Sequence, residues 1–466
     1  MVDTKLILTP QETAKNILVS FEVKEDYDFL DIKFNYEPKS LEDRRKMNIA
    51  LEKSYKKYNI PLEMQNKVQN LKSLDNLLTI MLISPSKYVG AAHKLTRNQR
   101  HMISPTNSTE GFMNTPIEKG IWQLRINVHL VITDTCTCKI QIRGRKNTDW
   151  YPCELHCHST HSDGKFTIEE LIKNAKMHGL AGIALTDHNT NSGIEKAKIE
   201  AEKQGLVLLQ GTEWTTYYGH MLVQGKCEYF EWYDTKIDGL EPKLQKIREY
   251  GGISGVAHPF RPGNPIGTGC NWEYIVNDWS NMTYIEILSG ESPTEYYYND
   301  RAIKLWFSLL DKGYRLTPTS GIDWHRELKK EATYACTWIR ATDGLSEQAM
   351  LDALKNHATT LTIGNRLNFK LKHGKDIAQI GDTICSGDAN VIIELDDLWV
   401  PNKNADIVHK TVSIITNQQQ LVYTGDIDKA IPDINLKEGN WYVAIVSGTL
   451  NGKPSLIAIT APIWCE

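Results

Sequence analysis

Along the first part of the chain, apolar and polar residues alternate with a period of two. NILVSFEV (16–23), NLLTIMLI (76–83) and GIWQLRINVHLVI (120–132) put every second side chain on one face, the pattern of half-buried antiparallel strands packed as a sandwich. The intervening LEDRRKMNIALEKSYKKYNIP (41–61) is charged and predicts a helix. Near residue 150 the pattern changes. AGIALTDH (181–188), LVLLQGTE (206–213), GGISGVAH (251–258), MTYIEILS (282–289) and RLTPTSGID (315–323) are short apolar runs, the mark of strands buried on both faces. Helical stretches separate them. In TIEELIKNAKMHG (167–179), Thr167 and Glu170 form a capping box, Ile168, Leu171, Ile172 and Ala175 line one face, and Gly179 fits the stop. NDRAIKLWFSLLDKG (299–313) repeats the design. Strand–helix repeats imply a largely parallel sheet, expected here to wrap into a barrel. Strand-like patterning returns in ANVIIELDD, KTVSIITNQQQLVYTG, GNWYVAIVSG and SLIAITAPIWC. The expected organisation is therefore an N-terminal β-sandwich-like domain (1–148), an α/β domain (149–368) and a small C-terminal β domain (369–466).

Composition fits a globular protein of a few domains, with 41% hydrophobic and 24% charged residues in 466. The formal net charge is −4 with no long basic stripe, which argues against a nucleic-acid scaffold but leaves room for a small phosphorylated substrate. The apolar run at Leu6–Leu8 is too short for a signal peptide, and no run is long enough to span a membrane. The nine cysteines (136, 138, 153, 157, 227, 270, 336, 385 and 465) are scattered rather than framed as disulfides, so a reducing cytoplasm is expected. Cys136 and Cys138 lack a second pair to complete a zinc site and read as ordinary strand residues. Oligomeric state is not legible.

Metal-ligand residue types fall at the carboxyl ends of the central strands, where parallel α/β barrels build active sites. His156 and His158 follow YPCEL, Asp187 and His188 end one run, Glu213 ends the next, and His220 lies just beyond it. His258 ends a fourth run, and Asp323 and His325 follow the last. Residues two apart on a strand share a face, so His156 with His158, and Asp323 with His325, can each reach one cluster while Cys157 and Trp324 point away. Imidazole and carboxylate donors together suit Zn²⁺, Mn²⁺ or Fe²⁺. His161 is out of phase with the His156/His158 pair and is expected to face substrate or solvent. His93, His101, His129, His178, His357, His373 and His409 read as ordinary structural or surface histidines.

The stretches LHCHSTHSDG, LTDHNT, GTEW, GH, AHPF and SGIDWH resemble the motifs of the polymerase and histidinol phosphatase (PHP) metallohydrolases. The first is close to HxHSxxSDG, with Thr160 and His161 in the variable positions. The flanking β regions resemble those of the CehA/McbA-type branch. The resemblance implies a distorted (β/α)₇ barrel with two or three divalent ions. The implied ligands are His156, His158, Asp163, His188, Glu213, His258, Asp323 and His325, with Glu213 bridging. His220 matches a position that is a ligand in some members, and Asp187 is expected to support the ligands or to be a weaker one.

Two adjacent cations lower the pKa of a bridging water, and the resulting hydroxide would attack phosphorus in line with the leaving oxygen. Arg261, three residues after His258 in AHPFRPG, is the first choice for a phosphate contact, ahead of Lys165. His325, His220 and His161 are open as general acids. Trp214, Tyr217, Tyr218 and Trp324 flank the ligands and read first as packing. The expected activity is hydrolysis of a small organic phosphate, mono- or diester. Two alternatives stand beside it: hydrolysis of a carboxylic or carbamate ester, and a glycan- or surface-binding protein with a vestigial barrel. A polymerase-associated exonuclease is disfavoured by chain length and by the lack of a basic surface.

Overall fold

The structure is a computed structural model that describes all residues except 69–70, 106–107, 147–148, 226–230, 398, 400 and 403. Cys227 lies outside the described residues. The chain divides into two compact units, Met1–Thr148 and Asp149–Glu466.

The first unit holds two four-stranded antiparallel sheets. One runs Val2–Leu8, Cys136–Arg145, Phe29–Glu37, Asn98–Ile103. The other runs Lys15–Val23, Gly120–Leu130, Leu77–Ile83, Tyr88–Ala92. The period-two pattern decides which residues go inside. Trp122, Leu124, Ile126 and Val128 from one sheet and Cys136, Cys138, Ile140 and Ile142 from the other are buried in a single core. The charged insert forms the helix Arg44–Tyr58, capped where the Asp43 carboxylate accepts from Lys46 N at 3.0 Å.

In the second unit, nine strands frame the site: β1 (Trp150–Cys157), β2 (Gly182–Leu185), β3 (Val207–Thr215), β4 (His220–Gln224), β5 (Ile253–Val256), β6 (Tyr284–Ser289), β7 (Thr317–Gly321), β8 (Cys336–Arg340) and β9 (Thr359–Thr362). They hydrogen-bond in the order β7-β6-β5-β4-β3-β2-β1-β8-β9. Pairing is parallel except that β4 runs antiparallel to both neighbours and β8 antiparallel to β1 and β9.

The expected distorted (β/α)₇ barrel is corrected here, because the sheet does not close. The edge of β1 that closure requires is taken by β8. The other end of the path, β7, meets β1 only just past the ladder, at the bridge Cys157–Trp324. Two hydrogen bonds hold that bridge, His158 N to Trp324 O at 3.0 Å and Trp324 N to His156 O at 2.9 Å. The first and last ligand-bearing segments are thus fastened together without barrel closure.

Helices α1 (Ile168–Met177), α2 (Ile194–Gln204), α3 (Glu241–Glu249), α4 (Tyr297–Asp311) and α5 (Glu347–Lys355) belong to this unit. Helix α1 starts at the capping box, with Glu170 N to Thr167 Oγ1 at 3.3 Å and Thr167 N to Glu170 Oε2 at 2.8 Å. It buries Ile168, Leu171, Ile172 and Ala175. Each fully buried Leu or Ile contributes roughly 1.5–3 kcal/mol. Gly179 ends the turn at φ 77°, a conformation costly to a residue with a Cβ. Beyond β9 the sheet continues through Lys453–Thr460, Trp441–Leu450, Ile407–Thr416 and Gln420–Asp426. Val412, Val443 and Ile459 of these strands lie in the same hydrophobic core as Ile183 and Ile285. Among the described residues no helix is long and apolar enough to cross a membrane.

Candidate metal centre

His156 and His158, in phase at the end of β1, are fully buried and point to one place, while Cys157 between them is buried in the apolar core. The carboxylate they face is Glu213 on β3. Its Oε2 lies 3.1 Å from His156 Nε2, 3.3 Å from His158 Nε2 and 3.0 Å from His188 Nδ1. Its Oε1 lies 3.0 Å from His220 Nδ1 and 3.2 Å from His258 Nε2. One carboxyl group therefore sits among five imidazoles. Asp323 completes the inner group, with Oδ1 3.3 Å from His156 Nε2 and 3.0 Å from His158 Nε2. At the rim, Asp163 Oδ1 lies 3.3 Å from His188 Nε2 and 3.0 Å from His325 Nε2.

Glu213 Oε1 is hydrogen-bonded by His220 and His258, but the atoms on its other side do not satisfy one another. Nε2 of His156 and His158, Oε2 of Glu213 and Oδ1 of Asp323 are buried, and none has a hydrogen-bond partner among the described residues. Buried polar atoms are rarely left so. Four such atoms, mutually within 4.8 Å, are what a shared cation requires. A second group, His158, Asp163, His188 and His325, meets the same distance criterion.

Outer hydrogen bonds fix the ring tautomers in the sense a metal needs. His156 Nδ1 donates to Glu286 Oε2 at 3.3 Å, leaving Nε2 with a free lone pair towards Glu213 and Asp323. His325 Nδ1 donates to its neighbour's carbonyl, Asp323 O, at 2.8 Å, leaving Nε2 towards Asp163. His220 Nε2 donates to Thr268 O at 3.2 Å, leaving Nδ1 towards Glu213. The residues therefore fit divalent metal ions.

The electrostatics agree. Burial pushes the Glu213 carboxyl up, but the fields of His156, His220 and His188 outweigh it and hold the group well below the usual carboxylate range. Burial likewise opposes ionisation of Asp323, and Arg261 and His156 overcome it. Burial favours neutral His158, yet Asp323 and Glu213 raise it to about 9. Opposite charges packed together are the common cause: positive partners hold Glu213 and Asp323 ionised, and those carboxylates in turn raise His158.

The backbone is strained where ligands must turn inwards. His258 (φ 28°) and Asp323 (φ 57°) both lie in the left-handed region, at a cost of roughly 1–3 kcal/mol each. Gly321 shows why small size matters beside them: a Cβ there would stand 2.0 Å from Glu286 Oε1 and 2.6 Å from His156 Cβ.

Other residues singled out in the sequence take different places. Asp187 accepts from Ser159 N, Ser159 Oγ and Ser162 Oγ, each at 2.7 Å, and shapes the loop that carries Asp163. His161 is exposed and pairs with Ser192 Oγ at 2.9 Å, apart from the cluster. Arg261 forms an ion pair with Asp323 Oδ2. Lys165 is exposed. Trp214 and Trp324 are buried, whereas Tyr217 is exposed.

Three residues escaped the sequence reading. Glu286 supports His156 and also accepts from His258 N at 3.0 Å, and its signal was a lone acid inside the apolar run YIEIL. Glu154 Oε1 accepts from His156 N at 3.0 Å and Ile322 N at 2.8 Å, with its carboxyl raised by burial to about 8. It stands two residues before His156, in the same strand phase. Cys270 approaches His220 and His258, and only the folded loop reveals it.

Residues 154–248 match the model of the PHP domain. A 5'-3' exoribonuclease of Haemophilus influenzae is 44% identical over 63 residues, 14% of this chain and 23% of the relative. A 3',5'-nucleoside bisphosphate phosphatase of Chromobacterium violaceum is 37% identical over 70 residues, 15% of this chain and 25% of the relative. The chain thus spans about a quarter of either relative's length. Among solved structures, a two-domain protein of Bacteroides vulgatus described as containing a PHP-like metal-dependent phosphoesterase is similar with a TM-score of 0.40 at 18% identity, over 67% of this chain and 95% of that one. Residues 154–248 thus carry the match to the PHP domain.

Proposed function

We propose that the protein is a metal-dependent phosphoesterase acting on a small organic phosphate, mono- or diester, through the region 149–368. The observation that carries this reading is the set of buried, unsatisfied nitrogen and oxygen atoms of His156, His158, Glu213 and Asp323. The names of the Haemophilus and Chromobacterium relatives, both of enzymes that cleave phosphate esters, support it. The flanking β regions support placing the chain in the CehA/McbA-type branch. The donor set suits two or three ions of Mn²⁺, Zn²⁺ or Fe²⁺.

Bound cations would supply Lewis acidity and a water acidic enough to act as nucleophile near neutral pH. The chain's own residues do the rest. Glu213 gathers five histidines around one carboxyl group and so sets the spacing of the centre. Arg261 brings a guanidinium to Asp323, where it can meet a phosphoryl oxygen. Burial holds the His325 ring below the ordinary histidine range, against the pull of Asp323, and so favours the neutral ring that a metal ligand needs. The described cysteines are free thiols, which supports a reducing compartment such as the cytoplasm.

The test is metal analysis of the purified protein, followed by assays of p-nitrophenyl phosphate, its bis-ester and a naphthyl carbamate with that metal restored. Turnover of the phosphate esters, lost on chelation, is expected. Turnover of the carbamate alone would move the assignment to ester or carbamate hydrolysis. Absence of metal and of all turnover would leave a binding protein.

A further inference from the structure

His220 and His258 meet a third metal-ligand side chain besides Glu213. One ligand atom from each of His220, His258 and Cys270 lies within 4.8 Å of the other two. Both histidines are buried and Cys270 is 9% exposed. His258 Nδ1 has no hydrogen-bond partner among the described residues. From these contacts we propose that Cys270 is a sulfur ligand of the cation held by His220 and His258.

The loop that delivers Cys270 is shaped for that position. It leaves His258 through the turn Arg261 N to His258 O, 3.0 Å, and returns against the β3–β4 hairpin. Its Thr268 carbonyl accepts from His220 Nε2 at 3.2 Å. Gly269, at φ 68°, lies so close to the hairpin that a Cβ would stand 2.1 Å from Thr216 O and 3.5 Å from His220 Nε2. A Cβ on Gly267 would stand 3.0 Å from the Cys270 sulfur. Two glycines therefore allow the backbone to press inwards and put the next side chain beside the histidines.

The consequence is selectivity. Nitrogen and oxygen donors accept Mn²⁺, Zn²⁺ or Fe²⁺, whereas an added thiolate disfavours the harder Mn²⁺ and favours Zn²⁺ or Fe²⁺ at that position. The ion held by His156, His158, Glu213 and Asp323 keeps an all-nitrogen-and-oxygen set, so the two positions would differ in preference. Binding releases the thiol proton to solvent and forms a metal–sulfur bond, with no change of oxidation state.

The inference rests on the metal-hydrolase reading, but its test does not depend on turnover. The full chain is stripped with a chelator and reloaded with Co²⁺. A strong near-ultraviolet thiolate-to-cobalt band is expected, lost in Cys270→Ser, while the weaker visible bands of cobalt on nitrogen and oxygen ligands persist. A missing band, or one unchanged in Cys270→Ser, overturns the proposal. The wild-type protein gives a second measure that needs no variant. Zn²⁺ should slow alkylation of Cys270 by iodoacetamide at least roughly tenfold relative to stripped protein, while exposed Cys385 reacts equally in both. Equal rates at Cys270 overturn the proposal. A sulfur band in a protein that cleaves no phosphate ester would sink the proposed function and leave this inference standing.

Discussion

Asp323 uses its two carboxylate oxygens for different partners: Oδ2 takes the ion pair with Arg261, and Oδ1 faces His156 and His158 without a hydrogen bond. Arg261 therefore competes with any cation for the charge of a buried ligand. Replacing it should separate metal binding from catalysis.

Arg261→Gln is expected to raise metal affinity several-fold, because Asp323 loses a competing positive partner. The same change should lower kcat/KM for phosphate esters by about 10²-fold through loss of a phosphoryl contact. The metal-free variant should be less stable by roughly 2–4 kcal/mol, near the low end for a broken buried pair, because the Arg261 side chain is 25% exposed. Metal titration, steady-state kinetics and urea unfolding check the three parts.

Glu213→Gln and Asp187→Asn remove one charge each from neighbouring strand ends. Glu213 faces five histidines, whereas Asp187 orders a loop through Ser159 and Ser162. Glu213→Gln should abolish stoichiometric metal binding and lower activity by more than about 10³-fold. Asp187→Asn should leave metal binding at the inner group intact and weaken it first at the rim group that includes Asp163. Metal content by elemental analysis after gel filtration decides; equal losses would count against Glu213 as the bridging group.

Gly321→Ala forces a methyl group against Glu286 and His156 at distances no contact tolerates. The expected cost is at least about 2 kcal/mol of stability, together with lost metal affinity. A thermal melt at the wild-type temperature with metal binding intact would show that the backbone can yield there.

The first unit has its own pH response. His101 is 2% exposed, and burial holds its ring at about 4. Its folded value lies below the unfolded value of about 6.5, so the stability tied to the neutral ring is present above pH 6.5 and drains away as pH falls towards 4. The loss over that window is roughly 3 kcal/mol. His101→Phe should flatten this part of the profile in urea melts at pH 7 and 4.5. An identical drop in both proteins would assign it to other groups.

Local rules made much of this protein legible in its sequence. The period-two alternation fixed which faces of the first unit are buried, since successive strand side chains point opposite ways. The capping box and Gly179 bounded α1, because they satisfy backbone groups within one turn. The HxH spacing grouped His156 with His158 and separated Cys157, again by strand phase; the DxH pair lies beyond β7, where the left-handed Asp323 breaks that phase. Membership in one cluster followed from ligand types recurring at strand ends.

Other features needed the tertiary structure because they depend on which strands become neighbours. β8 occupies the edge of β1 that barrel closure would use, and an antiparallel return after β7 leaves no periodic trace in the sequence. Glu286 and Glu154 support His156 and its neighbours through hydrogen bonds across the sheet, so their role depends on register rather than spacing. Cys270 reaches His220 and His258 because a glycine-bearing loop folds back over the hairpin. The left-handed backbone of His258 and Asp323 is likewise set by what the rest of the fold over-determines. Sequence offered most of the candidate donors, through strand phase and the resemblance of the motifs. Only long-range packing decided which donors come together and which oxygen of Asp323 is already taken by Arg261.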